Sequence, residues 1–158
     1  MNYIIDGYNL GFKINSIATH IKSGNLDLAI QKLTQFVRTC IKDPKSKVLI
    51  VLDGQDSFNP KSINKAGIKL VFSKKPQTAD DIIRDFIRKT KQLKNWCIVS
   101  SDNEIIYTAK DHGARTMKSI EFTNLKKKSK SLSEQYKKKT NPQNIDLDYW
   151  RSVFGDEE

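Results

Sequence analysis

Met1-Asn2-Tyr3-Ile4-Ile5-Asp6-Gly7-Tyr8-Asn9-Leu10 opens the chain, and Lys47-Val48-Leu49-Ile50-Val51-Leu52-Asp53-Gly54 repeats its pattern. In each stretch an unbroken apolar run ends in Asp-Gly. Such runs suit strands buried on both faces of a parallel sheet. Between them, Asn25 precedes Leu26, Ala29, Ile30, Leu33, Phe36, Val37, Cys40 and Ile41 at three-four spacing. That spacing predicts an amphipathic helix with Asn25 as its cap, and Asp43-Pro44 stops it. Strand, helix, strand in this order forms a right-handed unit with both strand tips on one edge of the sheet. Asp6 and Asp53 therefore fall on one rim, where open parallel sheets bind their ligands. Either Asp-Gly alone is also an ordinary turn, with Gly7 letting the backbone bend without a Cβ penalty. The recurrence is what points to chemistry.

Outward from this unit the alternation continues. Leu10 to Ile21 is a short mixed segment with helical character, and residues 55–67, which hold Pro60 and Gly67, read as loop. Ile68 to Phe72 is a third strand, closed by Ser73-Lys74-Lys75-Pro76. Thr78 is a natural cap for a helix with Asp80 and Asp81 in its first turn and Ile82, Ile83, Phe86 and Ile87 on its apolar face. Trp96 to Ser100 is a fourth strand. Ser101-Asp102-Asn103-Glu104 then opens a helix that runs to His112-Gly113, and Ala114 to Met117 is a fifth strand. The fold class is α/β, with a central, mainly parallel sheet of about five strands.

From Lys118 the character changes. Residues 118–139 carry lysines at 118, 126, 127, 128, 130, 137, 138 and 139 against Glu121 and Glu134, with few apolar residues between them. After Asn141-Pro142, Asp146 to Gly155 reads as a short closing helix, with Ile145 and Trp150 as a hydrophobic staple. The expected organisation is a domain over residues 1–125. Residues 126–158 add a lysine-rich segment and a helix packed on that domain.

The 158 residues fit one domain, and 28 Lys and Arg against 18 Asp and Glu leave a net charge of +10. That balance favours a polyanionic partner, either nucleic acid or an anionic membrane surface. No stretch reaches the roughly 18 apolar residues of a membrane span, and no secretory signal is visible. Cys40 and Cys97 lack metal spacing and read as core residues of a reducing, cytoplasmic compartment. His20 and His112 are isolated, so no His/Cys spacing offers a zinc site. Neither glycine-rich nucleotide-cradling motif is present.

Four strand-to-helix junctions carry acids: Asp6, Asp53, Asp80 with Asp81, and Asp102 with Glu104. Each has a structural reading. Asp80 and Asp81 lie where a helix dipole stabilises acids, and Ser101-x-x-Glu104 fits a capping box. Together they would repel one another on one edge, and oxygen clusters of this kind are what Mg²⁺ or Mn²⁺ require. An acidic pocket on a basic protein suits metal-assisted cleavage of a phosphodiester, with lysines holding the flanking phosphates. Lys74 and Lys75 near the rim, and Lys126, Lys127, Lys128 and Lys130 beyond it, are the RNA-binding candidates. The basic run also has the plain reading of a solvated connector.

Ile4-Ile5-Asp6-Gly7-Tyr8-Asn9, Leu52-Asp53-Gly54, Thr78-Ala79-Asp80-Asp81 and Ser100-Ser101-Asp102, in that order, resemble the NYN domains of the PIN-like nuclease superfamily. The YacP-like branch, which includes bacterial ribosome-associated endoribonucleases, looks closest, and Gly113-Ala114-Arg115-x-Met117-x-Ser119-x-Glu121-Phe122 is similar to it too. The resemblance covers roughly residues 1–125. It implies a PIN-like, Rossmann-like three-layer fold and a divalent-metal endoribonuclease acting on RNA, with mRNA on the ribosome as a substrate. On matching positions it makes Asp6, Asp80 and Asp102 the metal ligands, directly or through water. It gives Asn9 the task of orienting Asp6 or a phosphate, and Asp81 that of supporting the pocket. Gln77 departs from the branch, which often has an acid there. The alternative is a non-catalytic RNA- or ribosome-binding module that keeps the fold and uses the carboxylates structurally.

Overall fold

Tyr3, Ile4 and Ile5 do form the central strand expected of them. In the computed structural model, which describes residues 1–54, 62–65 and 67–126, β1 (Asn2–Asp6) pairs in parallel with β2 (Val48–Leu52) on one side. On its other side it pairs in parallel with β5 (Trp96–Val99). β4 (Ile68–Phe72) extends the sheet beyond β2, and β6 (Arg115–Met117) extends it beyond β5, both in parallel. The outermost strand, β3 (Ser62–Lys65), runs antiparallel to β4. The order is therefore β3-β4-β2-β1-β5-β6. Two compact units divide the chain, Met1–Asn124 and Leu125–Glu158, and the first holds the whole sheet.

β3 corrects the reading of residues 55–67 as loop. Ser62-Ile63-Asn64-Lys65 has one apolar residue and no alternation, so no periodic signal marks it. Its strand state comes from pairing along the edge of β4, with Gly67 at φ +76° leading into β4. The other five strands are parallel, as their apolar runs require.

Helices cover both faces. α1 (Gly7–Phe12), α2 (Asn15–Lys22) and α3 (Leu26–Cys40) connect β1 to β2. α4 (Ala79–Lys89) leads from β4 to β5, and α5 (Asn103–Asp111) leads from β5 to β6. One core layer joins Ile83 and Ile87 of α4 and Ile105 and Ala109 of α5 to Ile4, Val51 and Ile98 on one face of the sheet. Phe86 meets Trp96 edge-on at its margin, with ring centroids 4.6 Å apart. On the opposite face, Phe122 is fully buried between Tyr3 and Phe36, at 6.3 and 6.5 Å between centroids. Alternate residues of one strand thus serve two cores, the geometry of a strand with period two buried on both sides.

Two details differ from the sequence reading. Residues 119–126 are helical (α6), so the lysine-rich stretch begins as an ordered element anchored by Phe122. Asn25 stands at the α3 cap position but makes no side-chain cap bond. Lys127, Lys128, Lys130 and the expected closing helix over 146–155 lie outside the described residues.

Candidate active site

The strand order reverses at β1. The chain proceeds outward through β2 and β4, then returns to lay β5 on the other flank of β1. In open α/β sheets the crevice beyond the carboxyl ends at such a switch point is where ligands bind. Asp6 is the last residue of β1, Asp53 follows β2, and Asp102 follows β5 and caps α5. Asp80 lies in the first turn of α4. The topology alone brings these four to one rim.

Their electrostatics agree. Asp6 is 5% exposed, and burial, followed by the field of Asp80 and more weakly of Asp53, pushes its carboxyl up to about 7. Asn9 partly opposes this by donating from Nδ2 to Asp6 Oδ2. Asp80 is raised by partial burial and then by Asp102, with smaller contributions from Asp53 and Asp81, while Arg84 pulls it down. Tyr8 is raised by burial and by Asp53. Asp6, Asp80 and Asp102 thus form a chain of like charges across β1, α4 and α5.

Hydrogen bonding engages the acids to different degrees. Asp53 Oδ1 accepts from Ala79 N at 2.7 Å and from Ser73 Oγ at 3.3 Å, so it ties the end of β2 to the start of α4. Asp81 completes a reciprocal capping box: its Oδ2 accepts from Thr78 N at 3.0 Å, and Thr78 Oγ1 accepts from Asp81 N at 3.2 Å. Those bonds with Thr78 hold its carboxyl below the usual range. The other three, like Asp53 with its Oδ2, keep acceptor capacity in reserve. Among the described residues, Asp6 bonds only with Asn9, through its side chain and its backbone, and the Asp80 carboxylate makes no hydrogen bond. Asp102 uses Oδ1 to cap α5 through Glu104 N at 2.8 Å and leaves Oδ2. Asp102, and not Ser101, is that cap, so the expected box through Glu104 does not form. Glu104 instead reaches Arg84 at 3.1 Å, joining α5 to α4.

The donors fit an oxygen-seeking divalent cation in kind. In spacing, no three Asp, Glu, His or Cys residues among those described stand close enough to hold one ion between them. Lys74 and Lys75 are exposed on the loop that follows β4, and Lys126 is exposed at the end of α6. Ser73, Tyr8 and Arg84 belong to the rim without having been singled out in the sequence. Arg84 alone had a signal there, standing four residues after Asp80 on one helical face.

The family model described as the YacP-like NYN domain matches residues 3–152. Among solved structures, the chain is similar to a mutant of Rae1 (YacP) from Bacillus subtilis, with TM-score 0.64 and 16% identity over 89% of this chain and 87% of that one. A second structure of Rae1 (YacP) from Bacillus subtilis has TM-score 0.60 and 15% identity over 98% and 91% of the two chains. No curated protein matches.

Proposed function

This chain belongs to the YacP-like NYN domain family, a nuclease-like, RNA-related domain, and from that premise we propose that it is a divalent-metal-dependent endoribonuclease. Its substrates are RNA phosphodiesters, with mRNA on the ribosome in the cytoplasm as the physiological target. One observation carries the reading. On one rim, among the described residues, Asp80 makes no hydrogen bond through its carboxylate, Asp6 bonds only with Asn9, and Asp102 bonds through Oδ1 alone, so each keeps acceptor capacity for an ion.

Those three would hold Mg²⁺ or Mn²⁺, in part through water, which Mg²⁺ gives up reluctantly. The ion, when bound, supplies an activated water and offsets charge on the scissile phosphate. The chain does the rest. Asn9 fixes the Asp6 carboxylate by its Nδ2 bond. Asp53 and the Thr78–Asp81 box set the start of α4, and with it the position of Asp80. Lys74, Lys75, Lys126, Lys127, Lys128 and Lys130 supply positive charge for flanking phosphates that the acids would repel.

The alternative, a non-catalytic RNA- or ribosome-binding module, is favoured by the rim's spacing, which closes no three-residue metal group among the described residues. The experiment offers the full chain both naked RNA and mRNA on stalled ribosomes, with Mn²⁺ or with chelator, beside Asp6→Asn. Cleavage lost with chelator and with Asp6→Asn supports the enzyme. Mn²⁺ should also raise the melting temperature of the wild type more than that of the mutant. RNA or ribosome binding with neither cleavage nor a Mn²⁺ response would establish the module instead.

A further inference from the structure

A cleft among the described residues lies away from the rim acids. About 660 Å³ in volume, it lies where α4 and α5 end and the turn before β5 begins. Ile87 and Leu93 form an apolar floor, and Arg88, Lys91, Lys94 and His112 stand around it. The lining includes no carboxylate, although the chain carries 18 acids. Cations at helix C-termini have a routine explanation, because they answer the helix dipole within the last turn. Arg88 and Lys89 do this for α4, and Lys110 does it for α5. Lys91 and Lys94 lie beyond α4 and form no ion pair among the described residues. The dipoles of α4 and α5 leave both unexplained, although Lys94 belongs to the short 3-10 turn Leu93–Asn95. The pair that Arg88 makes with Asp85, at 3.7 Å, is exposed on both sides, so it holds the guanidinium weakly. His112 lies with Nδ1 2.8 Å from the Thr108 carbonyl, which leaves Nε2 for a ligand.

We propose that this cleft is a second RNA-binding site, which takes the sugar-phosphate backbone of the strand whose scissile phosphate lies at the carboxylate rim. A positive groove that tracks the backbone is one part of how single strands are held without sequence readout. With no Phe, Tyr or Trp in its lining, the cleft would hold phosphates and leave the bases unstacked. The spacing suits it as well. Rim and cleft sit at opposite ends of α4, whose 11 residues span about 16 Å, a distance that a few nucleotides bridge. Arg88 also lines a second cleft that reaches Gln77 and Arg84 near the rim, where Asp81 and Asp85 balance the two arginines, so the net positive charge belongs to the first cleft.

The inference rests on the nuclease reading for the identity of the strand, but binding tests it separately from cleavage. The full chain and its Lys91→Ser/Lys94→Ser variant are titrated with labelled single-stranded RNA in chelator, across salt concentrations. Two lost phosphate contacts should lower the log–log salt slope by about 1.4, with weaker affinity for long RNA and little change for an RNA of two or three nucleotides. A Lys91→Glu/Lys94→Glu variant should weaken binding further, while circular dichroism melting shows the fold intact. Reduced slope, beside no cleavage by the wild type with Mn²⁺ on naked RNA or stalled ribosomes, keeps the cleft and removes the nuclease. Normal cleavage with unchanged slope and affinity overturns the cleft and leaves the nuclease standing. Loss of binding to phosphatidylserine vesicles with RNA binding untouched would also overturn it, assigning the cleft to a membrane surface.

Discussion

At the N-terminal end of α4, Asp80 stands in the field of Asp102 and Asp53 and itself raises Asp6. At the C-terminal end, Arg88, Lys91 and Lys94 surround a cleft without a carboxylate. The acids sit at strand ends and first helical turns, where the fold holds them together and buries Asp6. The cations are exposed side chains at the end of α4 and in the segment that follows it, open to solvent. Charge at the first end is therefore coupled to stability, and charge at the second is not. The rim resembles a site that an ion would complete, and the cleft a surface that needs only a counter-charge.

The largest expected effect breaks the rim at its most buried acid. Unfolded, Asp6 releases its proton near its ordinary value of 3.8, and folded it does so near 7. Between those values the folded chain holds more protons, so stability falls as pH rises, and above 7 the penalty is complete. At about 1.4 kcal/mol per pH unit it is of order 4 kcal/mol. Asp6→Asn keeps an acceptor for Asn9 and removes the penalty. In chelator it should unfold at higher denaturant than the wild type at pH 8, with the gap closing toward pH 4. A gap that is constant with pH would separate the rim's charge from its stability.

Gly7 sharpens the comparison by testing space in place of charge. Its backbone is not in the left-handed region, so conformational freedom is not why glycine stands there. A Cβ would come 2.4 Å from Leu52 Cδ2 and 2.9 Å from Ile50 Cγ2, both in fully buried side chains. Gly7→Ala should cost about 1–3 kcal/mol of overpacking, read by denaturant titration, and lower activity by displacing Asp6. A stability loss below measurement would show that the β2 side chains yield.

The smallest effect separates neighbours on α4. Asp81→Asn weakens the capping box, and Thr78→Ala removes it at a cost of about 1 kcal/mol. Asp80→Asn removes a carboxylate with no capping bond, so it should leave the fold intact or firmer while reducing cleavage far more than Asp81→Asn does. Equal losses of cleavage in the two would erase the distinction between capping and reactive acids.

Much of this was legible in the residues because it depends on local pattern. Short unbroken apolar runs bounded by turn signals suit strands with two buried faces, three-four spacing gives helices with one, and Thr78 before Asp80 and Asp81 marks a helix start. Alternation of the two then sends every strand-to-helix junction to one edge, so the rim acids could be named from spacing. Tertiary structure decided what pattern cannot carry. β3 is a strand because β4 offers an open edge. Gly7 is a glycine because Leu52 and Ile50 crowd it across the sheet. Asp53 bonds to Ala79, 26 residues away, and that contact distinguishes it from Asp6, which ends an almost identical motif. The basic cleft gathers Arg88, Lys91 and Lys94 with His112 from another helix, a grouping that exists only once α4 and α5 pack side by side. Hydrophobic periodicity is written along the chain, but which polar atom finds a partner depends on distances that only the folded backbone sets.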